Sequence, residues 1–285
     1  METKPVLTLI ISMAVPPLIS MFMQYTYNFV DCMFVSWLSE DALTAVSLAF
    51  PITTFMVAMS IGLGVGVNVL IARYLGQKNQ DMADSVVSNG IILSAVCGAV
   101  VTLVVLLIMK PFFASFTDDP VIYDMAVDYM RICAFMEVAN MVHICIQKII
   151  QGTGNMIAPM WFQIAGVIVN IVFDPLLIFG IGPFPKLGIA GAAIATVMRY
   201  AFSMVLALLL LFNGKQAVQI KSRMIQFDFR IIKNIFVCGF PSFIMNALSA
   251  FTVTFLGKCS GLCCVSSSNR LKCCSVSLSL IHISE

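Results

Sequence analysis

A succession of long apolar segments, separated by short polar joints, governs what this chain can fold into. The segments run over residues 6–37, 42–73, 84–109, 121–148, 157–181, 187–212 and 230–256. Each reaches the ~20 residues that cross a ~30 Å hydrocarbon core as a helix. Composition agrees: 60% of the 285 residues are hydrophobic and 11% are charged, against about a quarter charged in soluble domains. The expected fold is therefore all-α and polytopic, embedded in a lipid bilayer. A net charge of +2 and the lack of a Lys/Arg run argue against a nucleic-acid partner. Met1-Glu-Thr-Lys-Pro5 opens directly into the first apolar segment without a short h-region and cleavage site, so no signal peptide is expected.

The joints carry turn or charge signals, among them Ser39-Glu-Asp41, Gly76-Gln-Lys-Asn-Gln-Asp81, Asp118-Asp-Pro120, Gly152-Thr-Gly-Asn155 and Gly182-Pro-Phe-Pro-Lys186. With the N-terminus cytoplasmic, Lys4, Arg73, Lys78, Lys148, Lys215, Lys221, Arg223, Arg230 and Lys233 fall inside, against Lys110 and Lys186 outside. That asymmetry satisfies the positive-inside rule.

Within this frame a carboxylate in Gln24-Tyr-Thr-Tyr-Asn-Phe-Val-Asp31 is costly, because an acid in hydrocarbon is penalised by roughly 2.5 kcal/mol or more. Asp31 lies ~6 residues from the outer end of segment one, about 9 Å deep at ~1.5 Å per residue. Asp174, in segment five, lies at a matching depth. Gln24, Tyr27 and Asn28 give Asp31 polar company on its helix, and Asn170 stands four residues before Asp174. Pro175 and the Pro16-Pro17 pair favour helix bends. The plainer alternative for Asp174-Pro175 is a kink whose acid is tied to backbone donors.

Segment four descends past Asp124, Asp128 and Arg131 and places Tyr129 about 12 Å deep, ~8 residues in. Its phenol can reach one of the acids or sit in the aromatic belt. Deeper, Glu137 and Arg199 fall near mid-membrane and are expected to neutralise one another. Gly62-Leu-Gly-Val-Gly66 and Gly188-Ile-Ala-Gly-Ala-Ala192 offer small faces for close helix packing. The 19 Met and 22 Phe residues suit lipid-facing surface or a pocket for apolar cations. His143 lacks the neighbours a metal site needs. Cys32, Cys97, Cys133, Cys145 and Cys238 read as small buried hydrophobes.

Leu9-Ile-Ile-Ser-Met-Ala-Val-Pro16 aligns with Asn234-Ile-Phe-Val-Cys-Gly-Phe-Pro241, so segment seven begins as segment one does. A transporter built from six-helix repeats would show this. Asp31 would align with Leu256, so the second copy lacks the acid.

Several motifs now coincide in order and spacing: Tyr27-Asn-Phe-Val-Asp31, Ala45-Val-Ser-Leu-Ala-Phe-Pro51, Gly66-Val-Asn-Val-Leu-Ile-Ala-Arg-Tyr-Leu-Gly76, Gln151-Gly-Thr-Gly-Asn155, Asn170-Ile-Val-Phe-Asp-Pro175 and Gly188-Ile-Ala-Gly-Ala-Ala-Ile-Ala-Thr196. Through these, residues 1 to about 257 resemble the multidrug and toxic compound extrusion (MATE) family of cation-coupled antiporters. The resemblance implies a six-helix N-lobe over 1–215, an inter-lobe linker over 216–229 and the first helix of a C-lobe over 230–257. It implies a coupling site of Asp31, Asn170 and Asp174, joined by Tyr129 and Thr196. It also implies export of organic, often aromatic cations in exchange for H⁺ or Na⁺ across the plasma membrane, without cofactor, metal or enzymatic chemistry. Neighbouring carboxylates at low dielectric favour sharing a proton, and protonation would release a cationic substrate or bend helix one at Pro16-Pro17.

From Lys258 the family pattern stops. Residues 258–285 are expected to be a non-native tail, leaving a truncated transporter that needs the missing C-terminal lobe. Cys259, Cys263, Cys264, Cys273, Cys274 and His282 lack zinc-site spacing. Competing readings are a lipid-linked oligosaccharide flippase of the same superfamily, which would want a cationic cavity, and an intramembrane aspartyl protease using Asp31 and Asp174. A seven-helix receptor is a third, opposed by the repeat at Pro241.

Overall fold

The computed structural model describes residues 6–180, 185–212 and 229–264. Eight helices follow in order: α1 (Val6–Leu38), α2 (Glu40–Gly76), α3 (Gln80–Ala114), α4 (Pro120–Phe135), α5 (Glu137–Gly152), α6 (Ile157–Phe179), α7 (Ile189–Phe212) and α8 (Phe229–Cys264). The described residues contain no strand. Seven apolar segments correspond to eight helices because segment four is broken: α4 and α5 meet at Met136 with a 48° bend.

The helix starts follow the joints. Ser39 Oγ accepts from the Ala42 N–H at 3.0 Å, with Glu40 and Asp41 in the first turn of α2, so a side-chain oxygen and two anions face the positive helix end. Asn79 Oδ1 accepts from Met82 N–H at 3.2 Å to open α3. Asp119 caps α4 at Val121 N–H, 2.9 Å, ahead of Pro120, whose missing N–H costs nothing in the first turn. Gly180 ends α6 in the left-handed region at φ 69°, the conformation a helix stop needs and a Cβ disfavours.

Five described helices, α2, α3, α6, α7 and α8, are long and apolar enough to cross a membrane, and the bent α4–α5 pair makes a sixth span. Exposed Val96, Val100, Leu103 and Leu107 form one stripe along α3, the spacing of a helix face turned to lipid.

The core has two ends. At one, Val35, Ala45, Val105, Phe113, Met130 and Ile178 pack together from α1, α2, α3, α4 and α6. At the other, Val67, Ile71, Val87, Ile149 and Ile235 join α2, α3, α5 and α8. The glycine faces act as expected. A Cβ at Gly62 would sit 2.7 Å from Phe243 Cβ, and Gly66 and Gly239 lie against the facing helix backbone, so α8 lies directly on α2. α8 carries Pro241 internally, as α1 carries Pro16 and Pro17, and it continues through Cys264. The inter-lobe linker over 216–228, and the tail beyond Cys264 with Cys273, Cys274 and His282, lie outside the described residues.

The break at Met136 has no proline. Thr102 Oγ1 on α3 donates to the Ala134 carbonyl at 2.8 Å, capturing the oxygen that an uninterrupted helix would offer four residues on. Met136 N–H turns back to Cys133 O at 3.2 Å. A side chain inserted into the ladder is a recognised cause of a kink. The helix assignments meanwhile run on through Pro16, Pro17 and Pro175.

Candidate functional site

α1 packs against α6, and both meet α7. This adjacency, which sequence depth alone left open, brings Asp31 and Asp174 into mutual electrostatic range together with Arg199. Asn170 and Asp174 are fully buried, and Asn170 Nδ2 donates to Asp174 Oδ1 at 3.1 Å. Three further oxygens, Asp31 Oδ1, Asn170 Oδ1 and Asp174 Oδ2, are buried without a hydrogen-bond partner. A group of acceptors lacking donors is set up to receive a cation or a proton, because an unpaired buried acceptor costs about 1–3 kcal/mol.

The expected neutralisation of Glu137 by Arg199 is not what the structure contains. Arg199 is buried and its guanidinium carbon lies 4.2 Å from the Tyr27 ring centroid and 4.1 Å from that of Tyr200. A desolvated cation held over aromatic faces gains ~2 kcal/mol or more per good contact. Its charge is felt by Asp31 and Asp174. Gly166 lets α6 lie close on α7: a Cβ there would collide with Ser203 Oγ and meet Arg199 Cγ at 3.2 Å. The physical reason for the difference is rotation about the helix axis, since α7 turns Arg199 toward α1 and α6. Tyr200 was missed by sequence reasoning, and the signal available was its adjacency to an arginine in an apolar helix.

Tyr129 is buried, hydrogen-bonds Cys133 and lies within electrostatic range of Asp31. Asp124, Asp128 and Arg131 are exposed on the other face of α4. Thr196, half-buried one turn before Arg199, makes no hydrogen bond to a described residue. Asn28 is exposed and likewise unbonded, so it stands apart from the buried group. Tyr27 belongs to that group through Arg199. Gln24 joins a different set: its Oε1 accepts from Gln163 Nε2 at 2.8 Å, and Gln163 Oε1 accepts from Gln147 Nε2 at 3.2 Å. Three glutamines thus tie α1, α6 and α5 together. Gln147 and Gln163 were not singled out from the sequence.

Glu137 opens α5 and is 3% exposed. Its Oε1 lies 3.0 Å from Ser60 Oγ and its Oε2 accepts from Asn140 Nδ2 at 3.1 Å. The helix N-terminus favours an anion by about 0.3–1 kcal/mol, less than the roughly 2.5 kcal/mol or more that a charge costs in hydrocarbon. His143 and Asn140 each leave one buried polar atom, Nδ1 and Oδ1, without a partner. Apart from both polar groups, a cavity of ≈ 350 Å³ opens between α2, α3 and α8, lined by Phe55, Val105, Ile108, Phe112 and Phe251.

The sequence matches the MatE family over residues 16–176. It is 31% identical over 209 residues to the FAD transporter of Shewanella oneidensis, covering 72% of this chain and 45% of that protein. It is 23% identical to the multidrug export protein MepA of Staphylococcus aureus, covering 88% and 55%. Its fold superposes on an outward-facing MATE transporter of the MOP superfamily with a TM-score of 0.81 at 27% identity, over 97% of this chain and 62% of that one. A MOP-superfamily transporter from Pyrococcus furiosus gives a TM-score of 0.81 at 29% identity, over 88% and 55%. The chain thus spans about half the length of the curated relatives it matches. An all-helical, multi-pass chain with a family match over more than half its length belongs to the MATE family of membrane transporters.

Proposed function

We propose that this chain is the cation-coupling lobe of an exporter that moves organic, often aromatic cations out of the cell in exchange for H⁺ or Na⁺. The observation that carries this reading is the buried set of unpartnered oxygens on Asp31, Asn170 and Asp174, drawn from α1 and α6. Such a set binds a proton or metal cation in one state and the substrate's positive charge in the other, and the two exclude each other electrostatically. Tyr129 lies within electrostatic range of Asp31, Thr196 stands one turn before Arg199 on α7, and Pro16-Pro17 and Pro175 supply helix positions where backbone hydrogen bonding is already interrupted. The Lys/Arg asymmetry supports a cytoplasmic N-terminus in the plasma membrane. Transport by this reading needs a second lobe facing the first.

One observation favours a variant of this substrate class. Arg199 brings a fixed positive charge and two tyrosine faces to the acids, and an aromatic molecule that also bears an anionic group would find both. The similarity to a transporter named for FAD supports the same variant.

The test uses the chain reconstituted in lipid nanodiscs. Tetraphenylphosphonium binding should release protons or displace Na⁺, and Asp31→Asn with Asp174→Asn should weaken it by on the order of tenfold or more, about 1.4 kcal/mol. Unchanged affinity and cation release in the double variant would reject the site. Flavin adenine dinucleotide binding lost in an Arg199→Gln chain that keeps its helix content and its tetraphenylphosphonium binding would select the variant.

A further inference from the structure

The Asp31–Asp174 group holds unpartnered hydrogen-bonding atoms of both kinds. Asp31 Oδ1, Asn170 Oδ1 and Asp174 Oδ2 are acceptors without donors, and the buried Arg199 Nε is a donor without an acceptor. Among the described residues Arg199 makes no ion pair, although its charge acts on both acids. Its guanidinium rests instead 4.2 Å from the Tyr27 ring centroid and 4.1 Å from that of Tyr200, and it hydrogen-bonds Tyr200. A planar guanidinium suits aromatic faces and carboxylates alike. Here it takes the first partner while the second lies one turn away.

Helix register sets that separation. Gln24 bonds Gln163 and Asp31 acts on Asp174, so α1 and α6 run parallel. Tyr27 and Gly166 then share one level, and Asp31 and Asn170 follow four residues on in each helix, about 6 Å at ~1.5 Å per residue. A Cβ at Gly166 would lie 3.2 Å from Arg199 Cγ, which puts the Arg199 stem at the lower of the two levels. α7 runs antiparallel to α6, since Gly191 faces Leu177 while Gly166 faces Ser203. Helical side chains lean toward the N-terminus of their own helix. Along α7 that direction leads from Gly166 to Asn170 and Asp174, so rotation about the Arg199 side-chain torsions carries the guanidinium from the rings to the acids.

We propose that Arg199 is a tethered competitor for the cation site, moving between the Tyr27–Tyr200 rings and the unpartnered oxygens of Asp31, Asn170 and Asp174, so that a cation binds only while the guanidinium is on the rings. This rests on the cation-coupling reading of the site and adds to it the group that a bound cation must keep away. With the guanidinium on the rings, the three oxygens take a proton, a sodium ion or the charge of an organic cation. With the guanidinium among them, its N–H groups fill the same positions, and a second positive charge is repelled at low dielectric. Tyr27 and Tyr200 thus set affinity by holding the competitor, without needing to touch the bound cation.

Tetraphenylphosphonium titration of the chain in lipid nanodiscs tests the exchange. Tyr200→Leu removes one face of the resting place and should weaken binding about fivefold, by releasing Arg199 to the acids. Arg199→Gln should bind at least as tightly as the unsubstituted chain, and adding Tyr200→Leu to it should change nothing further, because no competitor remains. Loss of structure does not tighten binding, and a ring that touched tetraphenylphosphonium would weaken binding in both backgrounds. Arg199→Lys keeps the charge and gives up planar stacking, so it should weaken binding as Tyr200→Leu does, and it carries the test if Arg199→Gln does not fold. Unchanged affinity in Tyr200→Leu or in Arg199→Lys, or equal weakening by Tyr200→Leu with and without Arg199, overturns the proposal. If the Asp31→Asn, Asp174→Asn double variant loses binding while Tyr200→Leu and Arg199→Lys keep it, the competitor fails and the coupling site stands. Binding kept by the double variant as well removes both.

Discussion

The two buried acid groups of this lobe are held by opposite means. The Asp31–Asp174 group gathers side chains from three helices and includes a guanidinium stacked between Tyr27 and Tyr200. The Glu137 group is held by hydrogen bonds from Ser60 and Asn140, and Glu137 makes no ion pair with a described residue. A charge-compensated group in low dielectric is stable only while its partners stay together, so it suits a place where substrate and ion compete. A group satisfied by hydrogen bonds alone fixes the geometry of the helices that share it, so it suits a structural joint.

The largest effect should come from breaking the first arrangement at its cation. Arg199→Leu leaves two carboxylates uncompensated and should destabilise the lobe by about 3–5 kcal/mol, read as helix loss by circular dichroism in a denaturant titration. Adding Asp31→Asn should recover a large part of this. A loss below about 1 kcal/mol would mean the guanidinium is not compensating the acids. Next is Ser60→Ala, which strips Glu137 of its α2 partner and should cost about 1–3 kcal/mol by the same measurement.

Thr102→Val removes the donor to Ala134 O and should cost about 1 kcal/mol. It should also reduce the 48° bend, as the freed carbonyl can again accept within the helix; a distance measurement across α4 and α5 that stays constant would locate the cause of the kink elsewhere. The smallest effect sharpens the comparison most. In a double-mutant cycle, Glu137→Gln and Arg199→Gln should add within about 0.5 kcal/mol, as residues without shared partners do. A coupling of 1 kcal/mol or more would merge the two groups into one network and would falsify their separation.

Much of this was legible in the chain itself, for particular reasons. Segment limits such as 84–109 and 187–212 found α3 and α7 because hydropathy and turn residues act locally, and Ser39, Asn79 and Asp119 cap helices where the joints placed them. Asp31, Asn170 and Asp174 could be chosen because an acid in an apolar run is costly wherever its helix finally sits. Gly62 and Gly66 likewise announced a close approach and received α8.

Rotation and neighbourhood were not legible. Depth put Glu137 and Arg199 at one level, but depth leaves open which way each helix turns its side chains, and α7 turns Arg199 to Tyr27. Prolines marked expected bends, while the break at Met136 is associated with Thr102, thirty-two residues from the carbonyl it binds. The glutamine file through Gln147, Gln163 and Gln24 spans α5, α6 and α1 and has no trace in any one of them. The sequence by itself determined that the chain is a bundle of membrane helices carrying a few expensive acids, because solvation of each residue by lipid is a local property. Only the tertiary structure decided which acid has a cation and which has hydrogen bonds alone, because partners in a bundle come from helices far apart along the chain.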